Sequence, residues 1–265
     1  MEKINSDTTF NYKNSNISYT TNGKGSVVVL LHGFLENKEM WREITPVLSK
    51  KHRVITIDLL GHGKSDNLNY VHTMEEQATM VKTLLQHLKL RRVTLIGHSL
   101  GGYIALAFAE LFSENTKGIV LMNSTAFPDS LEKKKNREHA IALVKKNKDI
   151  FIKMAIPNLF SPESRVLFKT KINAIKKDAL KTTQQGVIAS LEGMKIRKDR
   201  SAILQDMSFK KMMIIGKEDP ILNYNDLIAQ TKDTNTKLAI FDKGHMSHVE
   251  NLTELKTALV GFLKN

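Results

Sequence analysis

A chain of 265 residues, 41% hydrophobic and 25% charged, can bury a large core and is too balanced in composition to be disordered or membrane-like. It has no cysteine, which excludes disulfide and thiol chemistry and fits a reducing compartment. The net charge of +13 is concentrated, because residues 131–200 carry 18 Lys/Arg against 7 Asp/Glu. The plain reading of that segment is a solvated lysine-rich surface; the sharper one is a field that draws an anionic substrate or an acidic carrier.

The first residues are polar and contain no apolar signal core. Residues 10–12 and 17–20 read as an antiparallel hairpin at a sheet edge, turning at Asn14-Ser15-Asn16. Short β-branched runs then predict strands at 27–31, 54–57, 93–96, 118–122, 212–215 and 238–241, each buried on both faces. None approaches the roughly 20 apolar residues of a membrane helix. A soluble, cytoplasmic protein with no membrane contact is expected.

Amphipathic helices are expected between the strands. Residues 74–88 place Met80, Leu84 and Leu88 at helical spacing, Leu100–Leu111 is small and apolar, and residues 252–263 place Leu255, Leu259 and Leu263 on one face. The alternation breaks between residues 125 and 205, where lysine-rich helical pieces are punctuated by Pro157 and Pro162. The simplest account is an α/β core of residues 1–124 and 206–265, with a helical cap of residues 125–205 inserted between two strands. Such a cap sits over the carboxyl edge of the sheet, where open α/β folds carry their sites.

Gly97-His98-Ser99-Leu100-Gly101 matches G-x-S-x-G, with a predicted strand before it and a helix after it. That setting makes a nucleophile elbow and aims the Ser99 hydroxyl into the cleft at a helix N-terminus. Serine needs a base to take its proton. His245, in Asp242-Lys243-Gly244-His245 beyond the last strand, is the first candidate, and His248 is its rival. The base needs an acid to fix its tautomer. Asp219 follows the strand 212–215, and the adjacent Glu218 stays open by residue type. The backbone N–H of Leu100, and that of Phe34 in Leu31-His32-Gly33-Phe34, are the expected oxyanion donors.

These segments, with Asp58-Leu59-Leu60-Gly61-His62-Gly63-Lys64-Ser65 and Gly216 to Asp219, resemble the α/β-hydrolase superfamily. The likeness is to its serine-nucleophile branch of small esterases, C–C hydrolases and cofactor-free haloperoxidases. It covers roughly residues 9–124 and 206–264. It implies an eight-stranded, mostly parallel sheet flanked by helices, a helical cap after the sixth strand, and a structural role for the Asp58–Ser65 segment. Some relatives carry the acid after strand six; here that place offers Asn123 and Ser124. Serine at 99 disfavours the branches with an aspartate nucleophile.

The leading expectation is a carboxylic-ester hydrolase working through an acyl-enzyme, on a small-molecule ester or, in a variant, an acyl thioester on CoA or an acidic acyl carrier. The alternative is a C–C hydrolase or lyase for a carboxylate-bearing substrate, which requires a cap arginine such as Arg137 or Arg165 in the pocket. A non-enzymatic use of the fold is the third class, and the triad argues against it. His32, Trp41, Phe127, Phe151, Met154, Leu159 and Phe160 are candidate pocket residues. His32 reads best as a structural anchor of its loop through ring hydrogen bonds, and for the aromatic and apolar cap residues the competing reading is packing. No H-E-x-x-H or similar spacing is present, so neither metal nor cofactor is expected, and no motif suggests nucleic acid.

Overall fold

The computed structural model describes residues 7–264. Eight strands form one sheet: β1 (Thr8–Tyr12), β2 (Ser15–Asn22), β3 (Ser26–Leu31), β4 (His52–Ile57), β5 (Val93–His98), β6 (Thr116–Met122), β7 (Lys210–Gly216) and β8 (Lys237–Phe241). Their order is β1-β2-β4-β3-β5-β6-β7-β8. β2 runs antiparallel to β1 and β4, and every other pairing is parallel.

The hairpin turns one residue earlier than expected. Lys13 and Asn14 take φ of 48° and 64°, while Ser15 and Asn16 already pair with Tyr12 and Asn11. Two residues with positive φ match the right-handed twist of the flanking strands. β8 also departs from expectation. It ends the sheet and pairs only with β7, so Leu238 and Ile240 stay 43% and 41% exposed. A short apolar run does not reveal whether a strand lies inside a sheet or at its edge.

Period-two alternation divides the core between the sheet's two faces. Val29, Leu31, Leu95 and Ile119 pack with the helices Met74–His87 and Leu100–Leu111. Val28, Leu30, Ile96, Val120 and Ile214 pack with Trp41 and with Leu255, Leu259 and Phe262 of the last helix. Each such side chain, fully buried, contributes about 1.5–3 kcal/mol of transfer free energy.

Between β6 and β7 the described residues form helices only: Leu131–Ala155, Pro162–Leu167, Lys169–Ala179, Gln184–Lys195 and Ser201–Asp206, with a short 3₁₀ turn at Pro157–Leu159. Ser130, Ser161 and Thr183 cap three of these by accepting a backbone N–H three residues on. The first is bent at Asn147, whose φ of −160° and ψ of 94° leave the helical region; its Oδ1 accepts from Ile150 N at 3.0 Å and restarts the helix. No helix of the described residues is long and apolar enough to cross a membrane.

The Asp58–Ser65 segment braces the loops above β3 and β4. Asp58 accepts from the Lys38 and Lys64 amides at 2.8 and 2.9 Å and pairs with the buried Lys38 ammonium at 2.7 Å. Ser65 Oγ donates to the Asp58 carbonyl at 2.6 Å and accepts from Ser18 N at 2.9 Å.

Candidate active site

Ser99 is the hinge between β5 and the helix Leu100–Leu111. Its φ of 47° and ψ of −111° lie where a non-glycine residue is strained, a state that persists only when the surroundings impose it. Two contacts do so. Ser99 N donates to the Met122 carbonyl at 2.9 Å, and its carbonyl accepts from Ser124 Oγ at 2.8 Å. The sharp turn needs Gly97 and Gly101, because a Cβ on the first would overlap the Gly101 backbone and one on the second would overlap the Leu31 carbonyl.

Asp219 and His245 arrive on the loops after β7 and β8, which are stitched together by Lys217 N to the Phe241 carbonyl and Glu218 N to the Lys243 carbonyl. His245 Nδ1 lies 2.7 Å from Asp219 Oδ2, with both side chains almost fully buried. Asp219 Oδ1 accepts from the Ile221 and Leu222 amides at 2.8 and 3.0 Å. Burial opposes the charge on Asp219, yet His245 and these two amides outweigh it and hold the carboxyl below its ordinary value. An ionised Asp219 accepts Nδ1–H and leaves Nε2 of a neutral ring as the basic nitrogen.

Glu218 is exposed and has no part in this pairing. His248 lies in the short helix Ser247–Glu250, where it is buried against Glu36 with 3.5 Å between Nε2 and Oε1. Burial pushes its pKa down to about 4. Asn123 and Ser124, in the place after β6, are both buried. Asn123 bridges the loops, donating to Asp219 Oδ2 at 3.2 Å and to the Gly244 carbonyl at 3.1 Å, and accepting from Ser247 Oγ at 2.6 Å.

Ser99 and His245 line one cavity of about 370 Å³. Phe34, Leu35, Tyr103, Ala140, Phe151, Ala155, Leu159, Leu191, Met194 and Leu222 give it apolar walls, and Lys133, Asn136 and Arg137 of the cap add a polar side. Arg137 pairs with the buried Asp129, which Arg197 also holds at 2.5 Å. Arg165 is exposed and turns its Nε to the Phe160 carbonyl, away from the cavity lining.

Of the seven candidate pocket residues, Phe151 and Leu159 line this cavity. Trp41 is fully buried in the core on the sheet's other face, and Phe160 is fully buried in the cap packing. Met154 is 59% exposed and Phe127 37%, both outside the lining. His32 is spent on its loop, with Nδ1 2.8 Å from the Gly33 carbonyl and Nε2 accepting from Leu59 N at 2.9 Å. Helical periodicity marks a buried stripe without saying what the stripe faces, so cap packing and cavity lining read alike in the sequence. Tyr103 and Leu222 also line the cavity, and nothing in their local sequence separates lining from packing.

Among the described residues, one group has ligand-type atoms close enough for a metal ion: Glu36, His98 and His248, within 4.8 Å of one another. His98 already spends both ring nitrogens, on Glu36 Oε2 at 2.6 Å and on the His245 carbonyl at 3.0 Å. The geometry is therefore that of a hydrogen-bonded cluster.

Comparison with known proteins agrees with this architecture. The model of a family described as the alpha/beta hydrolase fold matches residues 26–252. An esterase from Thermogutta terrifontis, solved with malate bound, superposes with a TM-score of 0.90 at 28% identity, covering 99% of this chain and 98% of that one. A putative 2-succinyl-6-hydroxy-2,4-cyclohexadiene-1-carboxylate synthase of Bacillus subtilis is 28% identical over 84% of this chain and 85% of its own length. An uncharacterized protein of Mycobacterium tuberculosis is 35% identical over 102 residues, but the matched region spans only 30% of that relative.

Proposed function

The chain belongs to the alpha/beta hydrolase fold family, and from that premise we propose that it hydrolyses carboxylic esters through Ser99, His245 and Asp219. The observation that carries the reading is the 2.7 Å contact between His245 Nδ1 and Asp219, beside a cavity lined by both His245 and Ser99. In this reading His245 Nε2 draws the proton from Ser99 Oγ as the oxygen attacks the ester carbonyl. The imidazolium then protonates the leaving alcohol. Water, activated by the same ring, releases the acid.

The oxyanion is assigned to the N–H groups of Phe34 and Leu100. Neither amide has an acceptor among the described residues, and Leu100 is the first residue of the helix that follows Ser99. One such donor lowers the barrier by about 3 kcal/mol. Apolar walls suit an acyl chain, and the esterase with malate bound is consistent with an ester substrate.

A second reading, C–C bond cleavage of a carboxylate-bearing substrate, is favoured by Arg137 in the cavity lining and by the likeness to the Bacillus subtilis synthase. One panel separates the readings: p-nitrophenyl esters of graded length, CoA thioesters and a C–C substrate, each with Ser99→Ala as control. Ester turnover that is lost in Ser99→Ala, with covalent labelling of Ser99 by a fluorophosphonate, supports the first. Turnover of the C–C substrate alone replaces it with the second. Salt that raises KM for thioesters but not for neutral esters would assign the basic cap to carrier binding.

A further inference from the structure

The loops that carry the proposed oxyanion donor Phe34 and the base His245 leave the sheet at β3 and β8, four places apart in strand order. No backbone ladder holds two such loops in register. A side-chain bridge does. Glu36 Oε2 accepts from Gly33 N at 2.7 Å, next to Phe34, and lies 2.6 Å from His98 Nδ1. On the other side of the ring, His98 Nε2 meets the His245 carbonyl at 3.0 Å. Glu36 and His98 side chains are 3% and 2% exposed, so the bridge is almost fully buried.

The bonding dictates the protons. A carbonyl oxygen only accepts, so His98 Nε2 carries a hydrogen. One further proton lies on the short line from Nδ1 to Glu36 Oε2. Burial works against both charges, but each ion stabilises the other: Glu36 is held near 2 and His98 is raised above its ordinary value. The proton therefore rides on the ring, and the pair is carboxylate and imidazolium. The other groups facing His98 are the His245 and His248 rings, with centroids at 5.1 and 5.6 Å, and, through longer-range charge, Asp219 and His32. His248 is kept neutral by burial, with Lys171, His98 and His245 reinforcing it against Glu36.

We infer that Glu36 and His98 are positioning residues for ester hydrolysis, a buried ion pair that fixes the distance between the oxyanion loop and the backbone of the base. This rests on the reading of Ser99, His245 and Asp219 as the ester-cleaving group. His98 lines the cavity, but its ring nitrogens are spent on Glu36 and on the His245 carbonyl, so the pair acts through where His245 and the loop of Gly33 and Phe34 sit. A glutamine at 36 cannot replace the carboxylate. Its oxygen can accept from Gly33 N only by facing an uncompensated imidazolium or the bare Nδ1 of a neutral ring. Its amide nitrogen can donate to that ring only by facing the Gly33 N–H.

The test uses the full chain, a p-nitrophenyl ester and a fluorophosphonate. Glu36→Gln and His98→Gln are expected to lower kcat by roughly tenfold to a hundredfold with KM within about twofold, the mark of misplaced rather than missing groups. Fluorophosphonate labelling of Ser99 should slow in parallel, and Glu36→Asp should recover part of kcat by restoring the charge. In ¹H–¹⁵N spectra of the wild type, the one ring that disappears in His98→Gln should show both nitrogens protonated at pH 7. Unchanged kcat, a loss confined to KM, no gain from Asp over Gln, or a neutral His98 ring would each overturn the inference. Should Glu36→Gln fail to fold, His98→Gln and the wild-type spectrum decide it. Full ester activity in Ser99→Ala would instead remove the ester-hydrolase reading, while the His98 spectrum would still show whether the ion pair exists.

Discussion

Asn123 Nδ2 donates at 3.2 Å to Asp219 Oδ2, the same oxygen that holds His245 Nδ1 at 2.7 Å. The amide thus shares the oxygen that pairs with the His245 ring. Asn123→Asp would set a second carboxylate there, and two such groups at hydrogen-bond distance resist ionising together. The acid limb of kcat/KM is expected to move to higher pH, with activity near wild type well above neutrality. A pH–rate profile checks this, and an unmoved limb would mean that the base does not sense position 123.

Asp219→Asn should slow turnover by roughly three to four orders of magnitude, because an amide can hold the ring in the wrong tautomer. Glu218 is exposed, so Glu218→Gln should stay within about twofold of wild type. Steady-state kinetics on the same ester, side by side, separate the two acids.

Phe34→Ala should retain most of the wild-type turnover, because the proposed donor is a main-chain N–H and survives the change. Its phenyl ring lines the cavity, so KM for long acyl esters should rise more than KM for acetate. Turnover of short esters slowed by roughly a hundredfold or more would show that the side chain itself serves the chemistry.

Asp129 is fully buried between Arg137 and Arg197, whose side chains are 19% and 3% exposed. Asp129→Ala strands the Arg197 charge and should cost about 3 kcal/mol. For a chain of this size that corresponds to a fall in Tm of roughly 6–12 °C. Thermal denaturation at neutral pH measures it.

Acid should weaken the fold early. Burial holds His62, His72 and His248 near 3, 4 and 4, below the ordinary value of 6.5. Between those limits the unfolded chain binds protons that the folded chain refuses, so stability falls as pH drops from about 6.5 toward 4. Each histidine adds up to about 1.4 kcal/mol per pH unit. Glu36, depressed to about 2 from 4.5, adds a loss that begins below 4.5. Urea denaturation from pH 7 to 4 should show this slope, and His72→Gln should flatten it.

Much of the architecture was legible because it is local. The strands β3 to β8 are short apolar runs, and Ser99, Asp219 and His245 each follow one. Glu36 was illegible for the opposite reason, since its partner His98 is 62 residues away and only the strand order brings them together. Trp41 was misjudged because a large aromatic near a loop looks the same on either face of a sheet. The exposure of Leu238 and Ile240 depends on β8 being last in the sheet, which composition does not encode.

The bend at Asn147 gives one cap helix two independent duties. The arm before it brings Lys133, Asn136, Arg137 and Ala140 to the cavity, and the arm after it brings Phe151 and Ala155. A straight rod would lay all of these along a single wall. Broken there, the polypeptide can trade charge for bulk at one end of the chamber while the other end keeps its shape.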